Sequence, residues 1–176
     1  APTGISFDPE GNMVVADSGN SRIQTYDANG KLVQQFGESG EGEGQLKNPW
    51  GIHVDELGDV YVADWGNDRV QVFSNDGDVK MVLEGKTPDG VTITKPSSVT
   101  VDQHGDIYIT DWTNNRVLVY DSNGRYVWRF LGDATLSRVA RDYMMTNAYA
   151  NRLREMTNLE EEKYFRSPTS VRVDNQ

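Results

Sequence analysis

Few residues of this sequence carry side chains that are suited to chemistry, and their spacing limits what they can do. The chain has no cysteine, which excludes thiol catalysis, zinc–thiolate sites and iron–sulfur clusters. Of its two histidines, His53 lies in a strand-like run and His104 lies in a Gln-His-Gly turn. A histidine can ligate a metal or move a proton. Because His53 lies in a strand and His104 in a turn, we expect that the two side chains do not form a shared site. We expect no catalytic residue, no metal and no cofactor in the visible chain, and keep His53 as a candidate ligand contact.

Carboxylates and guanidinium groups recur at a fixed interval of 47 residues. A charged pair that appears once in every repeat is typical of a structural hydrogen bond, because catalytic groups usually break the symmetry of a repeat. We therefore predict structural roles for these positions, which are Asp17, Asp64 and Asp111 with Arg22, Arg69 and Arg116.

The same interval relates prolines, glycines and asparagines, so the chain contains at least three homologous units. The units open at Pro2, Pro49 and Pro96, and a fourth begins at Pro168. Each unit reads as four short strands, predicted in the second unit at 51–55, 60–64, 69–74 and 79–84. The Asn/Asp-Gly pairs supply the positive φ angles of tight hairpins, with Gly30, Gly77 and Gly124 in equivalent places. Four-stranded antiparallel units at this period are the signature of β-propeller blades.

The residues of these units also resemble a known repeat. Gly37-Glu-Ser-Gly-Glu-Gly-Glu-Gly-Gln45, Pro49-Trp-Gly-Ile-His-Val-Asp55, Val60-Tyr-Val-Ala-Asp64 and Asn67-Asp-Arg69-Val-Gln-Val-Phe73 are similar to the NHL repeat. The resemblance implies an all-β propeller that usually closes with about six blades. We assign 2–48, 49–95 and 96–132 to blades 1, 2 and 3, and 168–176 to the first strand of blade 4. The remaining blades are expected from a longer polypeptide that continues past Gln176, or alternatively from a second copy of the chain.

The connection after the third unit is longer than the others. Phe36 and Pro49 are separated by 12 residues, whereas Phe130 and Pro168 are separated by 37. Apolar residues recur at helical spacing from Leu136 onward, so 133–167 is predicted to be a helical insertion. It is either a lid on the propeller or a docking element, and its candidate contact residues are Tyr143, Met144 and Tyr149.

Tryptophans break the repeat on one side of the predicted propeller. We call this side the top face; it carries the turn between the second and third strands and the connection between units. Trp50 follows the opening proline of the second unit, where the other units have Thr3, Ser97 and Thr169. Trp65 and Trp112 occupy the top turns. These indoles either pack between blades or form a surface for a ligand or partner.

Charge and composition narrow the classes of function. The chain has 27 Asp and Glu residues and 17 Lys and Arg residues, which gives a net charge of -10. Because nucleic acid and anionic membrane surfaces are also negative, this charge opposes binding to either of them. No apolar run approaches the ~20 residues of a membrane span. The leading hypothesis is a non-catalytic scaffold that binds a protein or small ligand through its top face and insertion. The alternative is a lactonase- or lyase-like propeller enzyme, with a divalent cation in its axial channel and catalytic residues mostly in other blades.

Overall fold

A computed structural model of the chain describes residues 1–87, 90–131 and 168–173. Within these residues it contains three four-stranded sheets and one two-stranded pairing. The strands, in chain order, are β1 (Pro2–Phe7), β2 (Met13–Asp17), β3 (Arg22–Tyr26), β4 (Leu32–Phe36), β5 (Glu38–Ser39), β6 (Gln45–Leu46), β7 (Pro49–Val54), β8 (Val60–Asp64), β9 (Arg69–Phe73), β10 (Val79–Leu83), β11 (Pro96–Val101), β12 (Ile107–Asp111), β13 (Arg116–Tyr120) and β14 (Tyr126–Phe130).

Each four-stranded sheet is an antiparallel meander in which every strand pairs with its neighbour in sequence. Blade 1 is β1–β4, blade 2 is β7–β10 and blade 3 is β11–β14. The prediction of an all-β chain of four-stranded antiparallel blades is therefore confirmed. The sequence did not predict β5 and β6, which pair in parallel within the connection between blades 1 and 2.

The hairpin between the third and fourth strands differs in detail from the prediction. In blade 2 the N–H of Gly77 donates to the carbonyl of Ser74 at 2.9 Å, and Gly77 has a φ of 88°. The preceding Asp76 does not have a positive φ, so the glycine alone supplies it. The register then shifts between Val79 and Met81. This combination is a turn followed by a bulge, which needs one left-handed residue rather than two.

Neighbouring blades are held together by apolar residues on their facing sides. One cluster, which includes Ile23, Leu46 and Phe73, lies between blades 1 and 2. A second, which includes Ile109 and Leu118, lies between blades 2 and 3. Burying these side chains is the main favourable term in stacking the sheets.

The first strands of the blades approach each other very closely. Strand β7 lies between β1 and β11. A Cβ atom on Gly51 would lie 2.6 Å from Cα of Ser98 and 2.7 Å from the carbonyl oxygen of Ser97. Only glycine fits at this distance, so the sequence permits the close approach that brings the inner strands around one cleft.

Two predictions concern the end of the chain. The helical insertion at 133–167 lies outside the described residues. Residues 168–173 pair with no described strand, so the assignment of 168–176 to the first strand of blade 4 stays a prediction. A first strand pairs with the second strand of its own blade, and the described residues contain no such partner. The segment nevertheless lies beside β11, because the Ser97 hydroxyl donates to the carbonyl of Pro168 at 2.8 Å. No helix in the described ranges is long and apolar enough to cross a membrane.

Candidate functional site

Two tryptophans meet on the top face of blade 2. Trp50 is the second residue of β7, and Trp65 begins a short 3-10 turn directly after β8. Pro49 pairs with Asp64, so the ladder places the two indoles side by side. Their ring centroids are 5.9 Å apart with the planes tilted by 46°. The Trp50 side is open to solvent, with 44% of the residue exposed.

A lysine from the following connection covers Trp65. Lys95 Nζ lies 4.9 Å from the Trp65 ring centroid and 3.0 Å from Asp68 Oδ1. The backbone N–H of Lys95 also donates to Asp68 Oδ1 at 2.8 Å, which fixes the connection over the turn. A cation over an indole contributes about 0.5–1 kcal/mol at an exposed site. Trp50, Trp65, Lys95 and Asp68 together form what we call the indole surface.

Trp50 occupies a position that serves a different purpose in the other blades. In blade 1 the Thr3 hydroxyl donates to the carbonyl of Pro49 at 2.8 Å. In blade 3 Ser97 makes the same bond to Pro168 at 2.8 Å. Each hydroxyl therefore holds the opening proline of the next blade. Trp50 cannot make this bond through a hydroxyl, and its side chain is exposed instead.

Trp112 stands apart from this pair. It begins the 3-10 turn of blade 3 and is 37% exposed. Among the described residues it makes no ring contact with Trp50 or Trp65. The reason is that Ser97, and not a second tryptophan, stands at the Trp50 position of blade 3. The structure therefore forms an indole pair and one separate indole, rather than a group of three.

The inner strands line an open cleft of about 960 Å³, and Trp50 is the residue of the indole surface that lines it. Its lining residues include both polar and apolar types, which combine orienting hydrogen-bond groups with apolar area. Residues along the cleft include Thr3, Trp50, His53, Thr100 and Arg172.

His53 lies inside the cleft and below the indole surface. Its ring contacts Tyr61 at a centroid distance of 6.2 Å. Burial lowers the pKa of His53, and the nearby Asp55 carboxylate opposes that shift. The imidazole is therefore neutral at pH 7 and offers one donor and one acceptor. Asp55 is engaged by the Tyr61 hydroxyl, which donates to Oδ2 at 3.1 Å, and burial followed by this carboxylate raises the pKa of Tyr61. No group of three potential metal ligands occurs in 1–87, 90–131 and 168–173.

The repeated charged pairs tie each connection to the blade that follows it. The Asp64 carboxylate is fully buried and accepts from Arg69 Nε at 2.9 Å and from the Lys47 N–H at 2.7 Å. Arg116 Nε donates to Asp111 Oδ2 at 2.6 Å, and the Thr94 N–H donates to Asp111 Oδ1 at 3.1 Å.

Blade 1 carries the same ion pair in a more open form. Arg22 Nε lies 3.0 Å from Asp17 Oδ2, and 34% of the Arg22 side chain is exposed. The corresponding exposure is 4% for Arg69 and 13% for Arg116. Solvent therefore reaches the pair of blade 1 much more freely than the pairs of blades 2 and 3.

Sequence reasoning missed one exposed tryptophan and could not place three other residues. Trp128 lies on β14 and is 62% exposed. It breaks the repeat, because Gln34 and Met81 stand at the equivalent positions, so a comparison of the three fourth strands would have found it. The candidates Tyr143, Met144 and Tyr149 lie outside the part of the chain that the structure describes.

Comparison with known proteins identifies the repeat. The sequence profile described as the NHL repeat matches residues 1–26, 46–73 and 94–120. Protein brain tumor of Drosophila melanogaster is 40% identical over 48 residues, which is 27% of this chain and 5% of that protein.

Solved structures of similar fold support the propeller architecture. A streptogramin B lyase matches with a TM-score of 0.59 and 20% identity, over 73% of this chain and 40% of that one. A hydrazine synthase of Kuenenia stuttgartiensis matches with a TM-score of 0.59 and 17% identity, over 73% of this chain and 35% of that one. The chain thus spans less than half of the length of these proteins. Identities this low establish a shared fold and no shared activity.

Proposed function

We propose, from the premise that this chain belongs to the NHL-repeat family, that it is a binding scaffold whose indole surface holds a segment of a protein partner. The proposal depends on one observation: Trp50 stands at the position where blades 1 and 3 carry a hydroxyl side chain. Thr3 and Ser97 hold the next blade at this position, whereas Trp50 is 44% exposed at the mouth of the cleft. A tryptophan that supplies no such bond and remains in contact with water is typical of a binding hot spot.

The chemistry of the surface favours one kind of partner. Trp50 and Trp65 offer apolar area with indole N–H donors, and Lys95 and Asp68 form a charged rim beside them. This is the arrangement of protein interfaces, in which an apolar centre is surrounded by polar groups. The net charge of -10 favours partners that are neutral or basic. We therefore expect a peptide segment with an apolar or aromatic anchor and few acidic residues.

The predicted insertion at 133–167 is part of this proposal. The carbonyl of Pro168 accepts from Ser97, close to the opening proline of blade 3. Strand β14 ends at Phe130, on the side where fourth strands lead to the next blade. Both flanks of the insertion therefore belong to the top face, and we propose that it contributes to the same surface.

The enzyme alternative requires groups beyond those described. His53 is the cleft residue best suited to proton transfer, but its neighbour Asp55 is already bonded to Tyr61. A channel cation would need ligands from further blades. The binding proposal depends on Trp50 and not on the absence of a catalytic group.

Selection of peptides from a displayed library, followed by binding measurements on variants, tests the proposal. Trp50→Ser installs the residue that blade 3 carries at this position, so it should fold. We expect it to weaken selected peptides roughly 30-fold, since truncating a hot spot costs about 2 kcal/mol. Trp128→Ser is the matched control because Trp128 is also exposed but lies on an outer strand. Peptides that bind Trp50→Ser as tightly as the unaltered chain would overturn the proposal, as would selected peptides that are acidic and carry no apolar or aromatic anchor.

A further inference from the structure

The first strand of each blade places one polar side chain at the same level of the cleft. These residues follow the opening proline of their unit by four positions, and all of them line the cleft; they are Ser6, His53, Thr100 and, in the described segment 168–173, Arg172. Strand β7 lies between β1 and β11, so the first three stand on neighbouring strands. None is a carboxylate, and each can donate a hydrogen bond. We call these four residues the cleft donors.

Two of the cleft donors lack a hydrogen-bond partner in the described part of the chain. Thr100 is 4% exposed, and its hydroxyl forms no hydrogen bond with a described residue. No fully buried polar side-chain atom in the described ranges is without a partner, so the Thr100 hydroxyl reaches the cleft. The ring nitrogens of His53 likewise bind no described residue, although the ring contacts Tyr61. Because an enclosed polar group without a partner costs free energy, these two side chains favour a ligand that supplies acceptors.

The other two cleft donors add a positive charge and a second hydroxyl. Arg172 is exposed and forms no ion pair with a described carboxylate. Its segment is held beside β11, where the N–H of Val171 donates to Ser98 Oγ at 3.4 Å. Ser6 Oγ accepts from the N–H of Val54 at 3.0 Å, which leaves its own proton available. A guanidinium binds a carboxylate or phosphate through two parallel hydrogen bonds, so Arg172 gives the cleft a preference for oxyanions.

The carboxylates that line the cleft do not compete for these donors. Asp55 and Asp102 follow the ends of their first strands, and each accepts two backbone N–H groups of its own turn. Their second oxygens accept from Tyr61 and Tyr108, at 3.1 Å in both cases. Glu56, the other acidic residue of the described lining, is exposed in its turn. An anion at the level of the cleft donors therefore meets donors whose acceptors are not already supplied.

We propose that the cleft donors bind an oxyanion, the carboxylate or phosphate group of a small ligand held in the cleft. Arg172 pairs with the charge, and Thr100, His53 and Ser6 donate hydrogen bonds to the remaining oxygen lone pairs. The cleft volume of about 960 Å³ accepts an organic molecule rather than an inorganic ion alone. The net charge of -10 is spread over the chain and is screened beyond about 8 Å at physiological salt, so it does not decide a contact at hydrogen-bond distance. This site goes beyond the peptide surface proposed above and does not rest on it.

The test is a titration of the full chain with benzoate, inorganic phosphate or benzamide, followed by nuclear magnetic resonance. Benzoate and phosphate present the two forms of oxyanion, and benzamide has the shape of benzoate without its charge. We expect an oxyanion to shift the imidazole signals of His53 and the backbone amide of Thr100. The signals of His104, which is exposed and outside the cleft lining, should stay unchanged. A response to benzoate assigns a carboxylate ligand, and a response to phosphate alone assigns a phosphorylated one.

Three variants separate this site from a general effect of charge. Arg172→Gln should weaken oxyanion binding at least about tenfold, because it removes hydrogen bonds to a charged group. Thr100→Val keeps the side-chain shape without the hydroxyl and should weaken binding at least about threefold. Arg129→Gln is the matched control and should bind normally, since Arg129 is exposed on β14 and does not line the cleft.

The melting temperature of each variant establishes that it is folded before its binding is compared. The proposal would be overturned if neither oxyanion shifted His53 and Thr100 up to its limit of solubility, or if benzamide shifted them as strongly as benzoate. Equal binding by Arg172→Gln and the unaltered chain, or equal losses in Arg172→Gln and Arg129→Gln, would overturn it as well.

Discussion

Replacing Arg69 by alanine should destabilise the chain far more than the same change at Arg22. Arg69 is 4% exposed and donates through Nε to Asp64 at 2.9 Å. Its other nitrogens bind three carbonyls of the connection between blades 1 and 2. Arg69→Ala therefore removes the bonds that hold this connection and leaves the buried Asp64 carboxylate without its cation.

The magnitude follows from this burial. Removing one partner of a buried ion pair costs about 3–5 kcal/mol, because the remaining charge is uncompensated. For a chain of this size, each kilocalorie shifts the melting temperature by roughly 2–4 °C, so the expected loss is roughly 6–20 °C. The equivalent Arg22 is 34% exposed and, among the described residues, its side chain binds only Asp17 and Gln35. Exposed pairs contribute about 0.2–1 kcal/mol, and Arg22→Ala should lower the melting temperature by less than about 4 °C.

Equilibrium unfolding in urea, followed by circular dichroism and by tryptophan fluorescence, measures both variants. Coincidence of the two signals would establish that each unfolding free energy refers to one transition. If Arg69→Ala and Arg22→Ala lowered the free energy of unfolding equally, the carbonyl contacts of Arg69 would not carry the stability assigned to them.

Two further outcomes follow from the inner strands. Gly51→Ala should lower the melting temperature by several degrees, because its Cβ would meet the Ser98 backbone at 2.6 Å. Gly42→Ala is the control, because Gly42 likewise has no positive φ and its Cβ would meet only the movable end of the Gln45 side chain, at 3.1 Å. Burial lowers the pKa of His53 below its ordinary value of 6.5. Near and below pH 6.5 the unfolded chain therefore binds more protons than the folded chain, and the free energy of unfolding falls as the pH drops. Replacing His53 by glutamine should flatten this dependence in unfolding curves between pH 7 and 5, and an unchanged slope would contradict the assignment.

The strands were predictable because their signals are local and repeated three times. The predicted 60–64 and 69–74 of blade 2 correspond to β8 (Val60–Asp64) and β9 (Arg69–Phe73). The 47-residue repeat predicted the three blades, and runs of alternating β-branched residues predicted the strands within each blade. The equivalence of Asp64 and Arg69 with their counterparts in the other blades was also visible in the sequence.

The contacts between the connections and the blades were not predictable. Arg69 meets the carbonyls of Glu41 and Gln45 across more than twenty positions of the chain, and a repeat pattern does not state which backbone atoms an arginine will bind. The pairing of Trp50 with Trp65 was likewise hidden, because it depends on strand register and on the 3-10 turn after β8. Trp112 has the same local sequence position as Trp65 but lacks a neighbouring indole, so position alone did not identify the site.

The central claim, that the indole surface binds a partner, is tested most directly by nuclear magnetic resonance of the four indole N–H groups. The probe is the tightest peptide obtained by selection on the unaltered chain, titrated into uniformly ¹⁵N-labelled protein. We predict that the Trp50 and Trp65 indole signals shift on binding, while the signal of Trp128 on the outer strand does not. A bound peptide that leaves Trp50 and Trp65 unchanged, or that shifts Trp128 alone, would contradict the claim.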